Sequence, residues 1–559
     1  MAKNKNARLI YAPLGGAGEI GMNMYLYGYG PEGKERFILV DVGVTFGNME
    51  SSPGVDLIMA DISWIQARAD RLDAIFITHG HEDHVGALGL LWPRLHVPVY
   101  ARRFTTALAQ GKMERAGLDT TKVIETHPWP KKVKVGPFEV GFVPVSHSIP
   151  ESSSLVIDTP AGRILHTGDF KVDPTPVVGE PFDPDLFGEI GREGVKVLVC
   201  DSTNVFSTHP GRSEATLEKP ISELISNASG MVVATTFASN VARLKTLALA
   251  GKAAGREIVV LGRAMNHMLS TARATEVLDG FPPTVDATDA QDIPRRNLML
   301  LATGSQGERR AASAQLSEGK YLGFELKKDD TFLFSSKTIP GNEVSVARIL
   351  NRLSEKGVNI IDDSAEIYHV SGHPNRPDLA RMHELINADI LIPMHGEHRH
   401  LSTHAALGEE KGMKSVIAPN GTVVDLTGDT PEIVDNIETG RLYLDGTELI
   451  GAMDGVILER IRIALRGHVS VSVIIDEKGR PLGDAWVELQ GLPEMTAMPN
   501  GLAGEIEDEL GDVMNRADRK VLNDDDALED LIRRTCTRTC NNAMGKKPIC
   551  SIMISRLAD

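Results

Sequence analysis
Four side chains able to bind a metal lie within the six residues His79-Gly80-His81-Glu82-Asp83-His84. The cluster follows the apolar run 72–78, which reads as a buried strand, so it stands at the exit of a rigid element. Imidazole and carboxylate together suit zinc or a similar borderline divalent ion. Two imidazoles at H-x-H spacing can face one ion, while the D-H pair points past it toward a second. Three more candidates end other apolar runs: His147 after 140–145, Asp169 after 164–167 and His395 after 390–393. Together they complete two sites, His79, His81 and His147 for one metal and Asp83, His84 and His395 for the other. Asp169 can bridge both, because a carboxylate has two oxygens to share. Two metals so placed clamp the attacking and leaving oxygens of a displacement and acidify a water between them. One histidine in a turn would read as a surface residue; this set reads as a dinuclear metallohydrolase.

The elements that must position these residues are legible as apolar runs. Strands over 8–14, 22–29 and 37–42, the last containing Asp41, are joined by Gly-rich turns, and 72–78 delivers the cluster. A helix is expected over 85–91, then a short strand over 96–100 whose Pro98 suggests an edge position. Further strands fall at 139–144, 153–159, 163–167 and 195–201, giving an α/β layered domain. From 206 to 368 the pattern alternates. Strands over 231–236, 257–261, 298–302, 331–335 and 358–361 interleave with helices over 241–254, 266–277 and 343–355. That is the pattern of a doubly wound parallel sheet. Ligand-like histidines resume at 369–395, so this second domain reads as inserted into the first. The expected domains are 1–205 with 369–432, the insertion 206–368, a hairpin-like linker 433–465, and a small α/β unit 466–559. That last unit should hold strand 468–475, turn 476–479, strand 485–490, two acidic helices and strand 549–554.

A net charge of −17 argues against nonspecific nucleic-acid binding, which draws its affinity from Lys and Arg at phosphates. The acid is concentrated in 505–526, however, so a basic groove elsewhere stays open. The charged start, 1–8, is followed by no apolar signal region, and no run approaches the roughly 18–20 apolar residues of a membrane span. Four cysteines make no disulfide framework; Cys536 and Cys540, at C-x-x-x-C spacing, and Cys550 read as reduced thiols. A cytoplasmic protein without membrane contact is expected. Gly15-Gly16-Ala17-Gly18 lacks the Lys of a phosphate loop and reads as a tight turn near the metal floor.

H-x-H-x-D-H with single His, Asp and His at later strand ends resembles the metallo-β-lactamase fold. Within it, the insertion and three further motifs resemble the β-CASP nucleases. Motif A would be Asp201 in Cys200-Asp201-Ser202-Thr203-Asn204, motif B His373 in His369-Val370-Ser371-Gly372-His373, and motif C His395. The opening Pro13-Leu14-Gly15-Gly16-Ala17-Gly18-Glu19-Ile20-Gly21, the segment Thr236-Phe237-Ala238-Ser239-Asn240 and the C-terminal appendix are similar to the ribonuclease J branch. The resemblance implies an αββα metallo-β-lactamase sandwich, an inserted doubly wound β-CASP domain and a small C-terminal α/β oligomerisation domain.

By the same resemblance, the activity would be a two-zinc ribonuclease, 5′-to-3′ exonuclease and endonuclease, with Mn2+ or Mg2+ able to serve. Its substrate would be single-stranded, 5′-monophosphorylated RNA, in RNA maturation and mRNA decay. A homodimer or homotetramer, and partners in an RNA-degradation complex, are implied as well. His373 would serve the departing oxygen as general acid, Asp201 would steady a ligand or the water, and Asp83 would act at the metal. His369, Val370, Ser371 and Gly372 would line the phosphate path with His373, and Ser239 and Asn240 would meet the RNA 5′ end.

Bland readings accompany some of these residues: Asp201 suits a turn, and Ser239-Asn240 suits a helix N-cap. The chain departs from the family in Pro374-Asn375-Arg376-Pro377 after motif B, where two prolines stiffen the segment and Arg376 could add a phosphate contact. Residues 44–50 are poor in carboxylates, so no calcium site is carried over. Histidines 127, 166, 209, 267, 383, 398, 400, 404 and 468 read as structural or exposed. The competing functions are a small-molecule hydrolase of glyoxalase or lactonase type and a non-catalytic RNA-binding scaffold. The insertion counts against the first, and the complete ligand set against the second.

Overall fold
The computed structural model describes residues 7–557 apart from 363 and 496–498; the charged start at 1–6 lies outside the described residues. The chain divides into two compact units, Met1–Thr45 with Met59–Arg441, and Phe46–Ile58 with Leu442–Asp559.

In the first unit, two sheets face each other. One has eight strands, in the order Glu432–Asn436, Thr422–Asp425, Ala7–Gly15, Met24–Pro31, Arg36–Val40, Leu72–Phe76, Val99–Ala101 and Val123–Glu125. The other has seven: Lys132–Val135, Phe138–Pro144, Ser153–Thr159, Gly162–His166, Val197–Asp201, Ile390–Met394 and Lys414–Ser415. Alternate side chains of both meet in one core. Tyr27, Ile38 and Phe76 come from the first sheet, and Phe142, Ile157, Val199 and Ile392 from the second. Helices Pro184–Arg192, Arg376–Ile386 and His398–Glu410 cover the outer face of the second sheet through Phe187, Ile190, Met382, Ile386 and Leu407. This is the αββα sandwich.

Between its two halves lies a five-stranded, wholly parallel sheet. Its order is Glu257–Leu261, Leu298–Ala302, Val232–Thr235, Thr331–Phe334, Asn359–Ile361. Both faces are apolar and covered by helices, which is why these strands read as continuous Val/Ile/Leu runs. The strand order reverses beside Val232–Thr235. In open α/β sheets ligands settle outside the carboxyl ends of the strands at such a point. Thr236–Asn240 and Ser335 occupy that position.

In the second unit, His468–Ile475 runs between Trp486–Gln490, antiparallel, and Ile549–Arg556, parallel. Val469, Val471, Val473 and Ile475 alternate inward onto Ile506, Leu510, Ile532 and Cys536 of helices Gly501–Arg516 and Asp525–Met544.

Several local expectations change. The helix expected over 85–91 is two short ones, Glu82–Val85 and Leu88–Leu91. Pro98 precedes strand Val99–Ala101, which is paired on both sides; the edge belongs to Val123–Glu125. Pro374 and Pro377 do not stiffen a loop: Asn375 and Asp378 form a capping box, and Pro377 sits in the first turn of Arg376–Ile386. The stretch read as a hairpin-like linker contains a hairpin, Arg441–Asp445 with Glu448–Gly451, but then a helix, Val456–Arg466. Strand His468–Ile475 is central, so it offers no free edge to another copy.

Candidate metal centre
Every proposed ligand leaves the end of a strand at the same border of the sandwich. His79 follows Leu72–Phe76, His147 follows Phe138–Pro144, Asp169 follows Gly162–His166, and His395 follows Ile390–Met394. His81 caps the short helix Glu82–Val85, which carries Asp83 and His84. The sequence thus brings seven donors to one place through rigid strands and one helical turn.

Their atoms converge as two groups sharing Asp169: His79, His81 and His147 on one side, and Asp83, His84 and His395 on the other. His81 Nδ1 lies 3.1 Å from both His79 Nε2 and His147 Nε2. Asp169 Oδ2 lies 3.8 Å from His79 Nε2, 3.7 Å from His147 Nε2 and 3.3 Å from His84 Nε2. Its Oδ1 lies 3.1 Å from His395 Nδ1. Yet Asp169 Oδ1 and His395 Nε2 are buried without a hydrogen-bond partner, an arrangement that costs stability unless something else satisfies them. Nitrogen and carboxylate donors, buried and orphaned in this pattern, fit divalent metal ions.

The charges agree with that assignment. Burial pushes His79 and His147 well below the usual imidazole value and His81 down to about 4, leaving them neutral and ready to ligate. Burial opposes protonation of His84 and His395 too, but Asp169 and its neighbouring carboxylates prevail. His84 is raised well above its ordinary value and His395 to about 10. For Asp169, burial favours the neutral acid, yet His395 and His84 hold its carboxyl well below the usual range.

A second layer orients the ligands. Asp41 accepts from Thr78 N at 2.8 Å and from His84 Nδ1 at 2.8 Å. Thr78 Oγ1 lies 3.0 Å from His79 Nδ1, Asn23 Nδ2 3.0 Å from His84 Nε2, and Thr203 Oγ1 3.2 Å from His395 Nδ1. His147 Nδ1 donates to the carbonyl of Gly372 at 2.6 Å. A Cβ on Gly372 would fall 3.0 Å from His147 Cε1 and 2.8 Å from Ser148 Oγ, so the bare backbone is what lets this strap approach. Asp41 and His395 both hold positive φ, 62° and 52°. Such strain is tolerated where the surroundings fix it. Of this layer, only Asp41 carries a sequence signal, a polar residue ending an apolar run, and its role is not legible there.

Beside the metals, His373 Nδ1 donates to Asp201 Oδ2 at 2.8 Å, while Asp201 Oδ1 accepts from Thr203 N at 2.8 Å. Burial lowers His373, but Asp201 and Asp169 together lift it above its ordinary value. Ser371 Oγ accepts from His373 N at 3.0 Å and from Asn204 Nδ2 at 2.6 Å, which leaves its own hydrogen free to donate. Val370 is buried in the insertion's core, so it contributes backbone and packing. His369 is pushed down to about 3 by burial and by Arg243. Arg243 is wholly buried; it pairs with Glu214 and donates to the Ser335 carbonyl, holding this strap from behind. Asn240 is buried and caps helix Val241–Ala253 through Arg243 N, so Ser239 is the more accessible of the pair.

Gly16 accepts from His395 N at 2.7 Å, which puts the Gly-rich turn against the metal centre. A further buried group, Cys200, His383 and His404, also places donor atoms together. There His383 Nε2 and His404 Nε2 lie 3.0 Å apart with rings 8° from parallel, so an imidazole–imidazole hydrogen bond accounts for it.

Four family models match the chain. They are "Metallo-beta-lactamase superfamily" over 18–198, "Ribonuclease J, beta-CASP domain" over 229–353, "Zn-dependent metallo-hydrolase RNA specificity domain" over 359–419 and "Ribonuclease J C-terminal domain" over 455–557. A protein named ribonuclease J from Sinorhizobium meliloti is 41% identical over 99% of this chain and 98% of its own length. Another from Corynebacterium glutamicum is 33% identical over 97% of this chain and 75% of its own. A crystal structure of a protein of unknown function from Enterococcus faecalis V583 shares the fold, with a TM-score of 0.52 and 17% identity over 75% of this chain and 100% of that one.

Two outcomes follow from the centre. Because His84 and His395 carry protons when metal-free, metal uptake near neutral pH should release protons, and affinity should rise with pH toward about 10. Calorimetry in buffers of different ionisation enthalpy reads this; uptake with no buffer dependence would contradict it. Asp41→Asn should weaken metal binding by about 10–100-fold in competition with a chromophoric chelator, as loss of such an orienting partner does.

Proposed function
The chain belongs to the ribonuclease J family, and from that premise we propose that it degrades 5′-monophosphorylated single-stranded RNA from the 5′ end, using two zinc ions, with endonuclease activity besides. It is a metal-dependent nuclease hydrolysing RNA. The observation that carries the finer reading is the His373–Asp201 pair, 2.8 Å apart, set beside the ligand cluster on a strap that leaves the inserted domain.

His79, His81 and His147 would hold one ion, and Asp83, His84 and His395 the other, with Asp169 between them. When bound, the ions would supply Lewis acidity at the phosphoryl group and activate a water. The chain's own residues do the remaining work. Ser371 Oγ and the Ser371-Gly372 backbone hold phosphate oxygens. His373 keeps its Nδ1 proton on Asp201 and offers Nε2–H to the departing 3′ oxygen, with Asp201 raising its basicity and fixing its ring. Ser239 and His369, at the carboxyl ends of the insertion's central strands, would receive the 5′-phosphate. A neutral His369 and a hydroxyl suit one phosphate better than the larger charge of three.

Manganese and magnesium could substitute in the centre, and a cytoplasmic homodimer or homotetramer acting in RNA maturation, mRNA decay and a degradation complex fits this reading. Among the described residues no helix is long and apolar enough to cross a membrane.

Metal-loaded protein should convert 5′-monophosphate RNA to mononucleotides and attack 5′-triphosphate RNA more slowly; equal rates, or only internal fragments, would contradict the end preference. His373→Ala should keep its metal content while losing about 10²–10⁴ in turnover. Unchanged turnover would remove the acid role.

A further inference from the structure
Phe206 is a large aromatic left 44% exposed, three residues past Thr203, which touches His395. Its loop is held firmly. Val205 is fully buried, Ser207 N bonds to Asn204 O at 2.9 Å, and Arg376 N bonds to Ser207 O at 3.0 Å. Asn204 in turn reaches Ser371 and Asn375. The ring is therefore presented by a fixed backbone rather than by a wandering loop. Arg399, four residues past His395, lays its guanidinium 4.9 Å from the ring centroid, and the His400 ring lies 4.9 Å away at 57°. Among the described residues, Arg399 has no carboxylate partner. An aromatic face with an unpaired cation on it is poor chemistry for a protein core and good chemistry for a nucleobase beside its phosphate.

The placement gives the direction along the strand. The 5′ end is assigned to Ser239 and His369 in the insertion. The strap residue Gly372 contacts His147, and ring contacts then run from His147 to His373 at 5.1 Å and on to His395 at 5.6 Å. Phe206 and Arg399 lie past His395, at the far border of the centre. An RNA whose 5′ nucleotide sits at the insertion meets them on the other side of the cleaved bond. Resting on the RNase reading above, we propose that Phe206 and Arg399 form a stacking platform for a base on the 3′ side of the cleaved phosphate. Its contribution is to substrate affinity and not to the chemical step, and it is tolerant of base identity because every base offers a π-face.

The test uses the metal-loaded, full-length protein with 5′-monophosphorylated RNAs, each carrying a single abasic nucleotide at successive positions from the 5′ end. Wild type should show a raised KM at one internal position. Phe206→Ala should raise KM for unmodified RNA about tenfold, with kcat and metal content little changed, and should be insensitive to the abasic nucleotide there. Phe206→Trp should behave as wild type. Phe206→Leu, which keeps apolar bulk without the π-face, should behave as the alanine variant and so guards against a folding defect. Unchanged KM in Phe206→Ala, or penalties of variant and abasic site that simply multiply at every position, would overturn the platform. Wild type inactive on every RNA would instead overturn the RNase reading beneath it.

Discussion
Asp169 is the constraint on which the rest depends. One buried carboxylate lies within 4 Å of side-chain nitrogens from His79, His84, His147, His373 and His395. Those residues come from both sheets of the sandwich and from the strap behind the insertion. A buried carboxylate left alone would cost several kcal/mol or simply take up a proton. Ringed by imidazoles it stays ionised, and two of them, His84 and His395, stay protonated for its sake. The same charge that stabilises this cluster without metal is the charge that a pair of cations would meet. Folding and metal binding therefore draw on one electrostatic arrangement.

The sandwich serves that arrangement by bringing strand ends to a single border. Rigid strands set the coarse positions, and the orienting layer of Asn23, Asp41, Thr78 and Thr203 sets the ring planes. The positive φ at Asp41 and His395 shows where the backbone has yielded to the site. On the other flank, the buried Arg243–Glu214 pair fixes the strap from the insertion side, so His373 is held from Asp201 in one domain and from Ser371 and the strap in the other. General-acid chemistry beside the centre thus depends on the insertion being in place.

Much of this is legible in the sequence alone. His79, His81, Asp83, His84, His147, Asp169 and His395 each follow or join an apolar run, and the structure gathers all seven. The strand–helix alternation between 231 and 361 is clear because parallel strands buried on both faces are apolar throughout. What escapes the sequence depends on contacts between distant residues. Asp41 and Thr203 act through partners far along the chain, 46–58 joins a unit otherwise made of 442–559, and the guanidinium on Phe206 comes from Arg399, in a different element altogether. Helix Val456–Arg466 is obscured for a local reason: its β-branched isoleucines and valine suggest strand, and only their spacing along one face makes a helix.

The central claim is that two metals share Asp169. X-ray absorption at the zinc edge of the loaded protein tests it most directly. A metal–metal scattering path at about 3.5–4 Å, with nitrogen and oxygen ligands at about 2.0–2.2 Å, is the expected result. A spectrum lacking any metal–metal path, at full occupancy, would mean separate or single ions and would contradict the bridged centre.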